Sequence, residues 1–122
     1  MQLKMLRAKI HRAVVTEACV DYVGSITIDK DLLDASGILV GECVLVADLN
    51  DGARFETYVF EGEPGSGVIC VNGAAARLVD EGDKVIIMAY GYVDADEASA
   101  LEPTVVLMND DNTISEVRKG EA

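Results

Sequence analysis

The stretch that decides the fold is residues 42–61, which run ECVLVADLNDGARFETYVFE. Residues 42–49 and 55–61 are rich in aliphatic and aromatic side chains, a composition typical of β-strands. Between them, Asn50-Asp51-Gly52 is a strong hairpin signal, because these residue types tolerate the positive φ angles of tight turns. The stretch therefore predicts two antiparallel strands joined by a short turn.

Outside this hairpin the chain repeats the pattern of short strands separated by turn residues. Strands are predicted at residues 3–16, 25–28, 68–71, 84–93, 104–108 and 113–117. Short helices are predicted at Lys30–Ser36, between an N-cap at Asp29 and a stop at Gly37, and at residues 72–78 and 94–98. Residues 118–122 are predicted to fray. The pattern indicates one mainly β domain, a small closed barrel with a few short helices.

The composition argues against several classes of binding partner. The 122 residues include 22 acidic and 10 basic side chains, a formal charge of −12, and half of them are hydrophobic, without any Trp. We therefore expect an aliphatic core and a surface that repels nucleic acid. No segment has the pattern of a signal peptide or a membrane span, so no membrane partner is expected. Cys19, Cys43 and Cys70 lack disulfide or zinc spacing and fit a reducing cytoplasm.

Common catalytic motifs are missing from the sequence. His11 is its one histidine, so a two-histidine metal site is excluded and no metal is expected. The glycine-rich residues 62–67 lack the lysine and the following helix that a phosphate-binding loop requires. The many carboxylates fit a solvated acidic surface, and no Asp-Thr-Gly pair supports a carboxylate hydrolase.

Several blocks of sequence, in one order, carry a resemblance to a known family. They are KIHRA (9–13), VT (15–16), YVGS (22–25), DGARFETY (51–58), GSGVI (65–69) and VNGAAA (71–76). In order and spacing they resemble the bacterial aspartate 1-decarboxylase family over nearly the whole chain. The resemblance implies a six-stranded double-psi β-barrel and a tetramer of processed protomers.

The resemblance also implies self-cleavage between Gly24 and Ser25, giving a light chain of residues 1–24 and a heavy chain of residues 25–122. Ser25 would attack the Gly24 carbonyl, and elimination would leave a pyruvoyl group in its place. Because Gly24 has no side chain, its carbonyl would be open to attack, and its backbone could adopt conformations that are barred to other residues. The pyruvoyl group would form a Schiff base with L-aspartate and accept the electrons freed by loss of CO₂, giving β-alanine for pantothenate synthesis.

Further roles follow from the same resemblance. Thr57 would assist the acyl shift as a donor to the oxyanion, and Tyr58 would donate the proton after decarboxylation. Arg54 would bind a substrate carboxylate, and Lys9 and His11 would add positive charge. The segment Asn72-Gly73-Ala74-Ala75 would offer helix N–H groups to a carboxylate.

The strand period of two puts Arg54 and Tyr58 on one face of a strand and Thr57 on the other. All three can serve one site only through a bulge between them or through a neighbouring subunit. Each candidate also has a structural interpretation: Arg54 as a surface charge, Tyr58 as a half-buried barrel residue, His11 as a packing residue, and Asn72-Gly73 as a helix cap.

Two other functions stay open at the level of sequence: a non-catalytic oligomeric barrel that binds a partner, and a pyruvoyl decarboxylase of another amino acid. Three positions depart from the family pattern. Glu17 and Arg77 replace the histidine of many relatives, and Pro64 replaces a frequent arginine. These departures bear on processing or subunit contacts, since none falls on the motif residues.

Overall fold

The computed structural model describes residues 1–120, in which nine β-strands dominate. The strands are β1 (Gln2–Val14), β2 (Glu17–Cys19), β3 (Ser25–Asp29), β4 (Cys43–Asp48), β5 (Arg54–Gly62), β6 (Ile69–Asn72), β7 (Lys84–Asp94), β8 (Thr104–Met108) and β9 (Ile114–Lys119). The helices are α1 (Lys30–Ser36), a 3₁₀ helix (Gly73–Leu78) and α2 (Ala95–Ala98). The mainly β class is confirmed, with nine strands in this range rather than six.

The strands pair in the order β2-β6-β3-β5-β4-β7-β1-β8-β9. The chain after β1 crosses to the other side of this ladder: the Thr16 N–H donates to the Ile69 carbonyl at 2.8 Å, and β2 then pairs with β6. β1 is bulged between Leu6 and Ala8 and between His11 and Ala13. Bulges increase the local bend and twist of a strand, so they help β1 to curve around the barrel.

The core is aliphatic, as predicted. Its largest fully buried side chains include Ile10, Ile26, Ile28, Leu32, Ile69 and Ile87. Alternate residues of β3 supply two of them, Ile26 and Ile28, while Ser25 and Thr27 point to the opposite face of the strand. The side chains with chemistry on β3 therefore lie on the outer face of the barrel wall.

The local signals in the sequence are largely confirmed. β4 and β5 pair as an antiparallel hairpin through the turn that contains Gly52, whose φ is 77°. The Asp29 carboxylate accepts from the Asp31 N–H at the start of α1, and Gly37 ends the helix in the left-handed conformation.

The short helix predicted at residues 72–78 is present as a 3₁₀ helix from Gly73 onward. Two points need correction. The short strand β2 was not predicted. Residues 118 and 119 belong to β9, so the predicted fraying is wrong there, and residues 121–122 lie outside the described range. None of the helices within residues 1–120 is long and apolar enough to cross a membrane.

Candidate functional site

Ser25, the predicted nucleophile, is fully buried at the start of β3. β3 pairs antiparallel with β6, which places Ser25 opposite Asn72. The Asn72 Nδ2 donates to Ser25 Oγ at 3.1 Å, while the Ser25 hydroxyl reaches the Val23 carbonyl only at 3.5 Å. The side chain is thus held by an amide donor, and its own proton has a weak acceptor. This leaves the hydroxyl available for reaction.

The Asn72 side chain connects three partners, two on the neighbouring strand β3 and one on its own strand β6. Besides Ser25, its Nδ2 lies 3.4 Å from Thr27 Oγ1, and its Oδ1 accepts from the Cys70 thiol at 3.2 Å. It makes no capping hydrogen bond to the 3₁₀ helix that follows. Asn72 occupies the N-cap position of that helix, but its side chain does not cap it, because the amide is directed at residue 25.

Gly73 contacts the predicted cleavage position directly. A Cβ atom at Gly73 would lie 2.6 Å from Gly24 Cα and 2.9 Å from Gly24 N, and Gly73 has a φ of 76°. Gly24 itself has no left-handed φ, and a Cβ there would meet nothing within 4 Å. The expectation that Gly24 needs unusual backbone freedom is therefore not supported. The need for a glycine lies at position 73.

β5 brings one further predicted residue close to Ser25. Val59 is the register partner of Ile26, so Tyr58 neighbours Ser25 on the adjacent strand, with backbones about 5 Å apart. The Tyr58 ring is 39% exposed and packs edge-on against Phe60, with centroids 5.5 Å apart. This position suits a proton donor to a group at residue 25.

Thr57 and Arg54 are directed elsewhere. The exposure of β5 alternates, with Arg54 and Tyr58 on the outer face and Thr57 half-buried on the inner one, as the strand period predicts. The register between β4 and β5 has no shift, so no bulge brings the three together. Arg54 lies four residues from Tyr58, about 13 Å along an extended strand.

Lys9 and His11 lie on β1, which two strands separate from β5. With about 5 Å between neighbouring strands, the path along the curved wall from β1 to β5 is roughly 14 Å. Burial, followed by the charges of Lys9 and Arg12, lowers the pKa of His11. The lowered pKa makes a positive charge on the imidazole less favourable, so the role of His11 as a source of positive charge stays a prediction. Its Nδ1 is buried without a hydrogen-bond partner among residues 1–120.

A cavity of about 310 Å³ opens beside the Ser25–Asn72 pair. It is lined by Glu17, Cys19, Tyr22, Thr27, Val68, Cys70 and Asn72. This lining contains the Glu17 carboxylate and, within residues 1–120, no cation. A substrate with two carboxylates would be repelled by it, so the surroundings of Ser25 in a single chain are incomplete as an aspartate site.

The other predicted and departing residues lie around this centre. Ala74 is exposed and Ala75 half-buried in the 3₁₀ helix that begins at Gly73. Arg77 is exposed on the same helix, and Pro64 lies in the turn after β5. Of the three departures from the family pattern, only Glu17 lines the cavity.

A cluster of acidic side chains elsewhere could in principle hold a metal ion. Asp94, Asp96 and Glu97 bring carboxylate oxygens within 4.8 Å of one another, but all three are exposed. Within the described range this is the one such cluster, and exposed acidic groups commonly lie this close without a metal. These exposed carboxylates therefore give no support for a metal site.

Sequence reasoning missed Cys70 and Thr27. Each lies two residues from a predicted site residue, Cys70 from Asn72 and Thr27 from Ser25, so the strand period places it on the same face. That signal was available in the sequence. Only the register between β3 and β6 shows that the two residues lie side by side, because it pairs Thr27 with Cys70 directly.

Comparisons with known proteins show which family the chain matches. The family model described as aspartate decarboxylase matches residues 1–115. The aspartate 1-decarboxylase of Clostridium beijerinckii is 61% identical over 100% of this chain and 98% of its own length. That of Pelotomaculum thermopropionicum is 58% identical over 100% of this chain and 92% of its own. Among solved structures, the rationally designed mkDPBB_sym1 protein matches with a TM-score of 0.48 and 26% identity, over 71% of this chain and 96% of that one.

Proposed function

This chain belongs to the aspartate decarboxylase family and decarboxylates aspartate, and we propose that it does so with a pyruvoyl group made from its own Ser25. The product would be β-alanine, with release of CO₂. The observation that carries the proposal is the buried Ser25 hydroxyl, held by the Asn72 amide beside the Gly24–Gly73 contact.

The surroundings of residue 25 fit such a group. The oxygens of a pyruvoyl group can only accept hydrogen bonds, and the Asn72 Nδ2 is a donor already directed at this residue. When formed, the group supplies an electron sink for the loss of CO₂ from a bound amino acid. Tyr58, beside residue 25 across the β3–β5 ladder, would hold the proton that replaces the lost carboxylate.

Self-cleavage would begin with Ser25 Oγ. Its attack on the Gly24 carbonyl carbon expels the Ser25 nitrogen, which takes up a proton, and so replaces the amide by an ester. Loss of the Ser25 Cα proton to water then breaks the Cβ–Oγ bond, and the electron pair leaves with the Gly24 carboxylate. Water replaces the nitrogen at Cα, ammonia is released, and a ketone remains at position 25.

The substrate carboxylates would be bound by residues of a neighbouring copy. Lys9 and Arg54 lie on the outer face of the β1-β7-β4-β5 wall, away from Ser25 in the same chain, while the cavity beside Ser25 has no cation. If a second protomer placed its β1-β7-β4-β5 wall against the cavity, its Lys9 and Arg54 would supply the missing cations. Thr57 lies on the inner face of β5 and would act from whichever chain presents that face to the site. This arrangement is consistent with the tetramer that the resemblance implies.

The intact mass of the purified protein tests the proposal. We expect two species, residues 1–24 ending in a free carboxylate, and residues 25–122 lighter by one ammonia than a chain starting with serine. Ser25→Ala is the control, because it removes the nucleophile and should leave one full-length mass. One full-length mass from the unsubstituted chain after prolonged warm incubation would support the non-catalytic barrel instead.

Substrate choice is tested on the processed protein by supplying L-aspartate and L-glutamate separately and measuring released CO₂. Aspartate should react and glutamate should not. The reverse result would favour a pyruvoyl decarboxylase of another amino acid.

The three free cysteines, Cys19, Cys43 and Cys70, support an expectation that the protein works in the reducing cytoplasm.

A further inference from the structure

Cys70 is buried on β6, two residues before Asn72, and its thiol lies 3.2 Å from Asn72 Oδ1. The remaining partners of the Asn72 side chain are two hydroxyls, those of Ser25 and Thr27. A hydroxyl can donate or accept, so these two would accommodate either orientation of the amide. A thiol is a weak acceptor, so Cys70 is the partner that favours Oδ1 on its side and Nδ2 toward Ser25.

We propose that Cys70 is a positioning residue for self-cleavage, fixing the Asn72 amide so that Nδ2 faces Ser25 Oγ. The inference rests on the proposed function and names a residue that acts through Asn72. In the elimination step the Cβ–Oγ bond of Ser25 breaks and negative charge develops on Oγ. An N–H donor at Oγ stabilises this charge, whereas a flipped amide would face it with a carbonyl oxygen.

The surroundings keep Cys70 as a protonated donor. Burial, followed by the nearby Glu17, raises the pKa of the Cys70 thiol to about 11. Glu17 faces Cys70 across the β2–β6 register and is the other acceptor within reach. Glu17 is exposed, so water satisfies its carboxylate, while Asn72 Oδ1 is buried and depends on the thiol.

The test compares cleavage rates of precursors made by cell-free synthesis and followed by intact mass. Cys70→Ala should slow cleavage by about five- to tenfold, the effect of one misdirected hydrogen bond. Cys70→Ser keeps a donor for Asn72 Oδ1, although its hydroxyl can also accept, so it should slow cleavage by only about two- to threefold, less than Cys70→Ala. Cys43→Ala, which removes a thiol that donates to Glu56 on the exposed wall, is the matched control and should cleave normally.

A second comparison separates positioning from packing. In an Asn72→Ala background, Cys70→Ala should cause no further slowing, because the residue through which it acts is gone. Three results would each overturn the role of Cys70 while leaving self-cleavage intact. Cys70→Ser could cleave as slowly as Cys70→Ala, Cys70→Ala could slow cleavage even in the Asn72→Ala background, or Cys70→Ala could have no effect. Failure of the unsubstituted chain to cleave would overturn the proposed function and this inference with it.

Discussion

Gly73 and Gly24 touch through their backbones, so the residue after the Asn72 donor packs on the residue before the Ser25 nucleophile. A Cβ at Gly73 would lie 2.6 Å from Gly24 Cα, well inside any van der Waals contact. β6 and the cleavage segment can therefore approach this closely only because Gly73 carries no side chain. This contact fixes where the Gly24 carbonyl lies relative to Ser25.

Gly73→Ala should cleave at least about tenfold more slowly, because the added methyl displaces Gly24 and raises the barrier by about 1.4 kcal/mol or more. The left-handed φ adds a separate cost of about 1 kcal/mol in folding stability. Gly52→Ala is the matched control: its φ is 77°, and a Cβ there would meet nothing within 4 Å. Cleavage is followed by intact mass and stability by urea unfolding of Ser25→Ala precursors. Equal cleavage rates for the two variants would contradict the role of the contact.

Tyr58→Phe should cleave normally but lose turnover by about 10²–10⁴-fold, because general acid catalysis typically contributes that much. The measurement is CO₂ release from aspartate by the processed variant. Tyr92→Phe is the control, since Tyr92 is 68% exposed near the end of β7 and has no assigned role. If Tyr58→Phe stays uncleaved, the residue belongs to processing, and if turnover is normal, another group donates the proton.

Arg54→Lys should leave cleavage intact and raise the KM for aspartate by about tenfold, because an ammonium cannot reproduce the two parallel hydrogen bonds of a guanidinium. A smaller change is expected in kcat. The exposed Arg77 gives the control, and Arg77→Lys should not change KM. An unchanged KM in Arg54→Lys would return Arg54 to its interpretation as a surface charge.

Asp48→Asn should stabilise the fold near neutral pH. Asp48 is 2% exposed beside the 7% exposed Asp83, and burial, followed by the hydrogen-bonding contact with Asp83, raises the pKa of Asp48 to about 6. Since the folded state holds this proton more tightly than the unfolded state does, the stability contributed by Asp48 is present below pH 4 and is lost as pH rises to 6. We expect a gain of about 2–3 kcal/mol at pH 7.5 and little at pH 4.

Urea unfolding of Ser25→Ala precursors at both pH values measures this gain. Asp21→Asn removes an equal charge from an exposed loop and controls for the general repulsion in a protein of charge −12. A gain of equal size at pH 4 and pH 7.5 would show that Asp48 holds no additional proton in the folded state.

The sequence by itself determined the elements whose signals are local. Alternation along β5 puts Arg54 and Tyr58 on one face, Asn50-Asp51-Gly52 makes the hairpin turn, and Asp29 and Gly37 bound α1. Each depends on steric and hydrogen-bonding preferences within a few residues, which any context preserves. The family also follows from the sequence, because blocks in one order over the whole chain are not produced by chance.

Only the tertiary structure decided which distant residues meet. Strand register, set by the packing of the whole barrel, puts Ser25 opposite Asn72 and Gly73 on Gly24. The same packing puts two strands between β1, which carries Lys9 and His11, and β5, which carries Arg54, although the sequence groups these residues by chemistry. It also buries part of His11, and this burial is the largest cause of the lowered pKa of the imidazole. Pairing and burial are properties of the closed wall, and no short segment contains them.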